Sequence, residues 1–137
     1  MDYMLDNISV AIGAHFMYFV VSLLVVALFI AIYTTITPYR EISLIREGNT
    51  AAAISLGGAV LGFSVPLATA VEQSGSLIDM LVWSAVALVA QLVAYFATRI
   101  VLPHLKSDVQ QGRIAPAVFL AALSIAVGIL NAAAMSD

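Results

Sequence analysis

The sequence predicts an all-α integral membrane protein, with four transmembrane helices arranged as two parallel-repeat helical hairpins and both termini outside. Three observations predict it. Of 137 residues, 63% are hydrophobic and only 9% charged, whereas a soluble domain carries roughly 25% charged residues to cover its surface in water. Four stretches reach the roughly 20 mostly apolar residues that a helix needs to cross the hydrocarbon. All five Lys and Arg residues fall in or beside two connections, with none at either end of the chain. The length fits one transmembrane domain over residues 1–137, with repeat one at about 14–71 and repeat two at about 78–134.

The first apolar stretch runs from about His15 to Ile36. The segment before it holds acids and no Lys or Arg, so it lacks the positive region of a signal peptide, and the first helix is expected to stay. Thr37-Pro38 closes it, because proline has no amide donor and disfavours helix at the residue before it. Gly48-Asn49-Thr50 reads as a break and an N-cap ahead of the second helix, about Ala51–Val71, which Pro66 is expected to kink. Gln73-Ser74-Gly75-Ser76 is a polar turn into the third helix, about Ile78–Leu102, closed by Pro103. Gly112-Arg113 breaks the chain before the fourth, about Ile114–Ala134, where Pro116 sits in the tolerant first turn. Each stretch is too long and too continuously apolar for a barrel strand.

Topology follows from charge. Arg40 and Arg46 lie between helices one and two, and Arg99, Lys106 and Arg113 surround the connection between helices three and four. Basic loops stay in the cytoplasm, which leaves both termini outside. The two hairpins share a pattern of apolar helix, proline, short charged connector, glycine and Ala/Gly/Ser-rich helix. Pro38 matches Pro103, Gly48 matches Gly112, and Gly62 matches Gly128, with a drift of one or two residues. Both hairpins run out to in to out, so they are parallel repeats about an axis along the membrane normal.

The segments TPYREISLIREGNTAAAISLGGAVLGFSVPLA, IDMLVWSAVALVAQL and FLAALSIAVGILNAAAM resemble the YjfL-type family of small bacterial inner-membrane proteins, a domain of unknown function. The resemblance covers nearly the whole chain. Its most specific parts are the Glu47-Gly48-Asn49 turn with the helix after it and the Gly128-to-Asn131 end. It implies a bacterial plasma (inner) membrane and a duplicated hairpin, and it carries over no catalytic residue. Arg113 stands where Asn49 would fall in the second half, so a Gly-Asn turn serves one half only.

Helix two places Ser55, Gly58, Gly62 and Thr69 on one face, with Gly58 and Gly62 forming a GxxxG. Helix four places Ala117, Ala121, Ser124, Gly128 and Asn131 likewise. Lipid supplies no hydrophobic force between helices, so small faces permit close backbone contact. Helices two and four are therefore expected at the packed centre, with one and three peripheral; the small faces could equally serve a homodimer. Helix three carries Ser84, Gln91 and Thr98 at seven-residue spacing. With Ser124 and Asn131 they could line a solute path, or they could form interhelical hydrogen bonds worth roughly 0.6 to 2 kcal/mol each. Glu47 could bond amides near the start of helix two or be a solvated loop charge. His15 at the outer interface could relay protons or sit at headgroup depth. Glu72 and Asp79 flank the outer turn, as cation attractors or as solvated acids. Trp83 and the tyrosines suit interface anchoring or packing.

Several classes are excluded. Without cysteine there is no disulfide framework or thiolate metal site. With net charge −3 and dispersed basic residues there is no nucleic-acid surface. No carboxylate lies mid-helix, which argues against a proton pump with an acidic relay. HExxH, GxSxG and Walker motifs are absent, and no catalytic residue, cofactor or metal is expected. The sequence therefore points to a non-enzymatic membrane module in contact with the lipid bilayer. It would form a homo-oligomer, with a dimer favoured, and bind a possible cytoplasmic protein partner through its connectors. The alternative is a small-solute or ion channel or transporter lined by polar residues of helices three and four.

Overall fold

The computed structural model describes residues 2–135. Six helices follow in order: α1 (Asp2–Ile36), α2 (Glu41–Arg46), α3 (Thr50–Gln73), α4 (Leu77–Val101), α5 (Leu105–Gln110) and α6 (Ile114–Met135). The long ones, α1, α3, α4 and α6, are each long and apolar enough to cross a membrane. The chain is a multi-pass all-helical membrane protein.

The termini of these helices have the local causes read from the sequence. α1 stops before Thr37-Pro38 and α4 before Leu102-Pro103. The Asn49 side chain caps α3 by accepting from the Ala52 amide at 3.0 Å, and Ser76 caps α4 by accepting from the Asp79 amide at 3.2 Å. The connectors fold into short helices closed by the same turn. The Gly48 amide donates to Ile45 O and the Asn49 amide to Leu44 O; the Gly112 amide donates to Val109 O and the Arg113 amide to Asp108 O. This double closure is a Schellman motif, and it needs a left-handed residue at its pivot. Gly48 (φ +90) and Gly112 (φ +79) supply it.

Two expectations are corrected. The first helix begins at Asp2 and not at about His15. Nothing between the two positions breaks a helix, so it runs on past the apolar span. Its 35 residues reach roughly 52 Å at 1.5 Å each, well beyond a hydrocarbon core of about 30 Å. Residues 2–17 are all exposed, and α1 is the peripheral helix. α4, in contrast, belongs to the centre. Ser84, Ala87, Gln91, Ala94 and Thr98 are all buried, because this small stripe lets α4 settle against both α3 and α6.

α3 and α6 share the most extensive helix–helix contact. Glycine makes it possible. A Cβ at Gly62 would run into the Ser124 carbonyl, one at Gly128 into the Gly62 carbonyl, and one at Gly58 into Ala121. The GxxxG face is thus filled by the chain's own α6. On the other side of α3, Phe29 of α1 stacks on Phe63 at a centroid distance of 4.2 Å.

Candidate functional site

Several places combine polar groups with burial or a cleft. The first is the α3–α4–α6 crossing. The Gln91 side chain is 0% exposed, and its Nε2 donates to the Ser124 carbonyl at 3.1 Å, beside Gly62. Among the described residues, Gln91 Oε1, Ser124 Oγ and the Asn131 amide nitrogen have no hydrogen-bond partner. Ser84 and Thr98 donate back to their own helix, to Met80 O and Ala94 O. Of the predicted polar stripe, Gln91 and Ser124 therefore meet, while Ser84 and Thr98 bond locally and Asn131 is only half-buried.

The second place is the connector face. Asn49 Nδ2 donates to Val109 O at 2.8 Å, which ties the first connector to the end of α5. One side chain thus caps α3 and joins the two connectors. In the other half, Arg113 pairs with Asp108 at 3.5 Å, an exposed and hence weak contact. Pro38, Arg40, Ser43, Glu47, Lys106 and Gln110 line a cleft of about 470 Å³ between the connectors. Glu47 is exposed on its rim.

The third place was not singled out by the sequence reading. Glu41, in the first turn of α2, is 1% exposed. The Thr37 hydroxyl donates to Glu41 Oε1, while Oε2 has no partner among the described residues. The buried rings of Tyr33, Tyr39 and Tyr95 converge beside it: Tyr33 and Tyr39 each sit edge-on to Tyr95, at 6.1 and 6.5 Å. All three hydroxyls lie within electrostatic range of Glu41, yet none makes a hydrogen bond of normal geometry. Ser55 is near the Tyr39 hydroxyl, but its own proton goes to Ala52 O at 3.1 Å. Burial raises the Glu41 carboxyl from its ordinary range to about 7, against a smaller opposing effect of the Thr37 hydrogen bond. Burial and the nearby Glu41 likewise push the Tyr39 phenol upward. One signal in the sequence could have found the acid. Glu41 stands three and four residues before Leu44 and Ile45, on the apolar side of a short amphipathic helix.

His15 stacks on Phe19 at 6.1 Å and lines, with Ser22, Ser64 and Glu72, an open cleft of about 550 Å³ between α1 and α3. Among the described residues no three His, Asp or Glu side chains are grouped to hold a metal ion.

Four apolar crossing helices, a glycine-packed centre and tied connectors define a small multi-pass membrane protein. Residues 5–135 match the family model described as Domain of Unknown Function (DUF350), and the chain belongs to that family. It is 35% identical over 119 residues to UPF0719 inner membrane protein YjfL of Escherichia coli (strain K12), covering 87% of this chain and 90% of that protein. It is 31% identical over 103 residues to UPF0719 transmembrane protein YshE of Bacillus subtilis (strain 168), covering 75% of each. No solved structure matches.

Proposed function

We propose that this chain is a non-enzymatic module of the bacterial inner membrane. It works as a homo-oligomer, a dimer in the first instance, and engages a cytoplasmic protein through its paired connectors. Both termini lie outside. The tie from Asn49 to the Val109 carbonyl carries this reading, because it joins two short connectors into one surface with Arg40, Arg46, Glu47 and Lys106 exposed on it. The locked Gln91–Ser124 crossing supports a structural centre. The matching turns at Gly48 and Gly112 support a duplicated hairpin. The location draws on the inner-membrane name of the Escherichia coli relative. Crosslinking in lipid nanodiscs is expected to give dimers, and affinity capture to give a partner that is lost when Arg46 and Lys106 are reversed in charge. Monomers alone, with no co-purifying protein, would count against the module.

A second reading is a small-solute or ion channel or transporter. The unpartnered Gln91 Oε1, Ser124 Oγ and Asn131 amide favour it, since polar groups without partners in a membrane interior commonly face a path. Under this reading Gln91→Leu abolishes flux through reconstituted vesicles and leaves folding intact. Unchanged flux would remove Gln91 from any path.

A further inference from the structure

We propose that Glu41, Thr37 and the hydroxyls of Tyr33, Tyr39 and Tyr95 form a binding site for one monovalent metal cation, Na⁺ or K⁺. The site adjoins the connector cleft, since Glu41 opens α2 and Tyr39 lines that cleft, but cation binding there does not require a protein partner.

Each group on the list offers oxygen. A carboxylate with hydroxyls is a hard donor set, suited to alkali or alkaline-earth cations and unsuited to soft metals. Charge then selects the valence. A buried charge must be paired. Among the described residues Glu41 has no basic side chain within ion-pair distance. One carboxylate balances one monovalent cation, whereas a divalent ion would leave a net positive charge in a buried site. The cluster is closed to bulk solvent: Tyr33, Tyr39, Tyr95 and Glu41 are each 2% exposed or less. Four oxygens in it, Glu41 Oε2 and the three tyrosine hydroxyls, are buried and have no hydrogen-bond partner among the described residues. They come from three parts of the chain, namely α1, the segment that begins α2, and α4, so a shared ligand would join those parts.

The ion exchanges with a proton. The Glu41 carboxyl gives up H⁺ as the cation arrives, so the net charge of the site is unchanged and no other reactant is needed. The charged neighbours are Arg99, which acts on Tyr95 from the end of α4, and the exposed Arg40, Lys106 and Glu47 around the cleft behind Tyr39. These exposed charges are screened by salt.

The test is thermal unfolding of the full chain in nanodiscs at mildly alkaline pH, in NaCl, KCl or choline chloride at matched ionic strength, with titration calorimetry for the better ion. The Tm is expected to rise by several degrees in NaCl or KCl over choline chloride. The larger shift identifies the ion. Glu41→Gln should abolish the difference between salts. Tyr39→Phe and Tyr95→Phe, which keep the rings, should each weaken binding several-fold and serve if Glu41→Gln does not fold. Equal stability in all three salts overturns the proposal, and so does stability that follows pH alone. A salt response that survives in both Tyr→Phe variants places the ion elsewhere.

Discussion

Glu41 is a carboxyl buried from solvent with one side-chain hydrogen bond among the described residues, from Thr37. Burial favours its neutral form, so the folded protein holds this proton more tightly than the unfolded chain does. Between about 4.5 and about 7 the folded state carries more bound protons, and stability falls as pH rises through that window. The full effect is about 3 kcal/mol, of which part would be recovered by any cation that pairs with the carboxylate. In choline chloride the Tm should therefore drop from mildly acidic to mildly alkaline pH, and Glu41→Gln should flatten the curve. A Tm that rises across that range in the wild type would contradict the buried, neutral acid. The same residue marks a limit of the sequence reading. An acid in a connector reads as solvated, and only the packing of Tyr33, Tyr39 and Tyr95 around it gives it an interior. Tyr33, Tyr39 and Tyr95 pack inside while Tyr3 stays exposed, a division made by tertiary contacts that spacing does not encode.

At the scale of elements, glycine and asparagine positions carry separable tasks. Gly57 and Gly62 lie in the same helix, but a Cβ at Gly57 meets nothing within 4 Å, whereas one at Gly62 meets the backbone of Ser124 and Gln91 Nε2 at 2.8 Å. Gly57→Ala should be neutral or slightly stabilising by helix propensity, up to about 1 kcal/mol. Gly62→Ala should destabilise by about 1 to 3 kcal/mol, because two backbones must separate. Denaturation in mild detergent compares the pair, and equal effects would mean that α3 and α6 do not cross at Gly62. Asn49 can be dissected similarly. Asn49→Ala loses the cap and the tie to Val109 and should cost about 1 to 2 kcal/mol. Asn49→Asp keeps the cap acceptor but loses the donor and should fall between. If Asp matches wild type, the tie contributes nothing. Most helix ends were legible because Pro38, Asn49, Ser76, Pro103 and Gly112 act locally. The start of α1 was not, because hydropathy marks where a helix enters lipid and says nothing of where it begins. The central place of α4 was hidden for a related reason: its outward Leu, Val and Phe residues dominate its composition and mask the buried stripe from Ser84 to Thr98.

For the whole molecule, the tie between connectors has a topological consequence. Asn49 bonds to Val109, so both connectors lie at one end of the bundle, and Arg40, Arg46, Lys106 and Arg113 lie there together with Arg99 in the last turn of α4. Glu72 and Asp79, beside the turn between α3 and α4, lie at the opposite end. Such segregation of charge orients a bundle by the excess of Lys and Arg on its cytoplasmic side. The chain has no cysteine, which makes the orientation directly measurable. Gly75 is exposed in the α3–α4 turn with open space around its Cβ position, and Gln111 is exposed at the end of α5. In intact spheroplasts an impermeant maleimide should label G75C, and it should reach Q111C only after permeabilisation. The reverse pattern would invert the bundle and place the Glu41 pocket toward the outside, where the cation gradient it meets is different. Labelling of both cysteines from one side would mean that α3 and α4 do not carry these two ends across the bilayer.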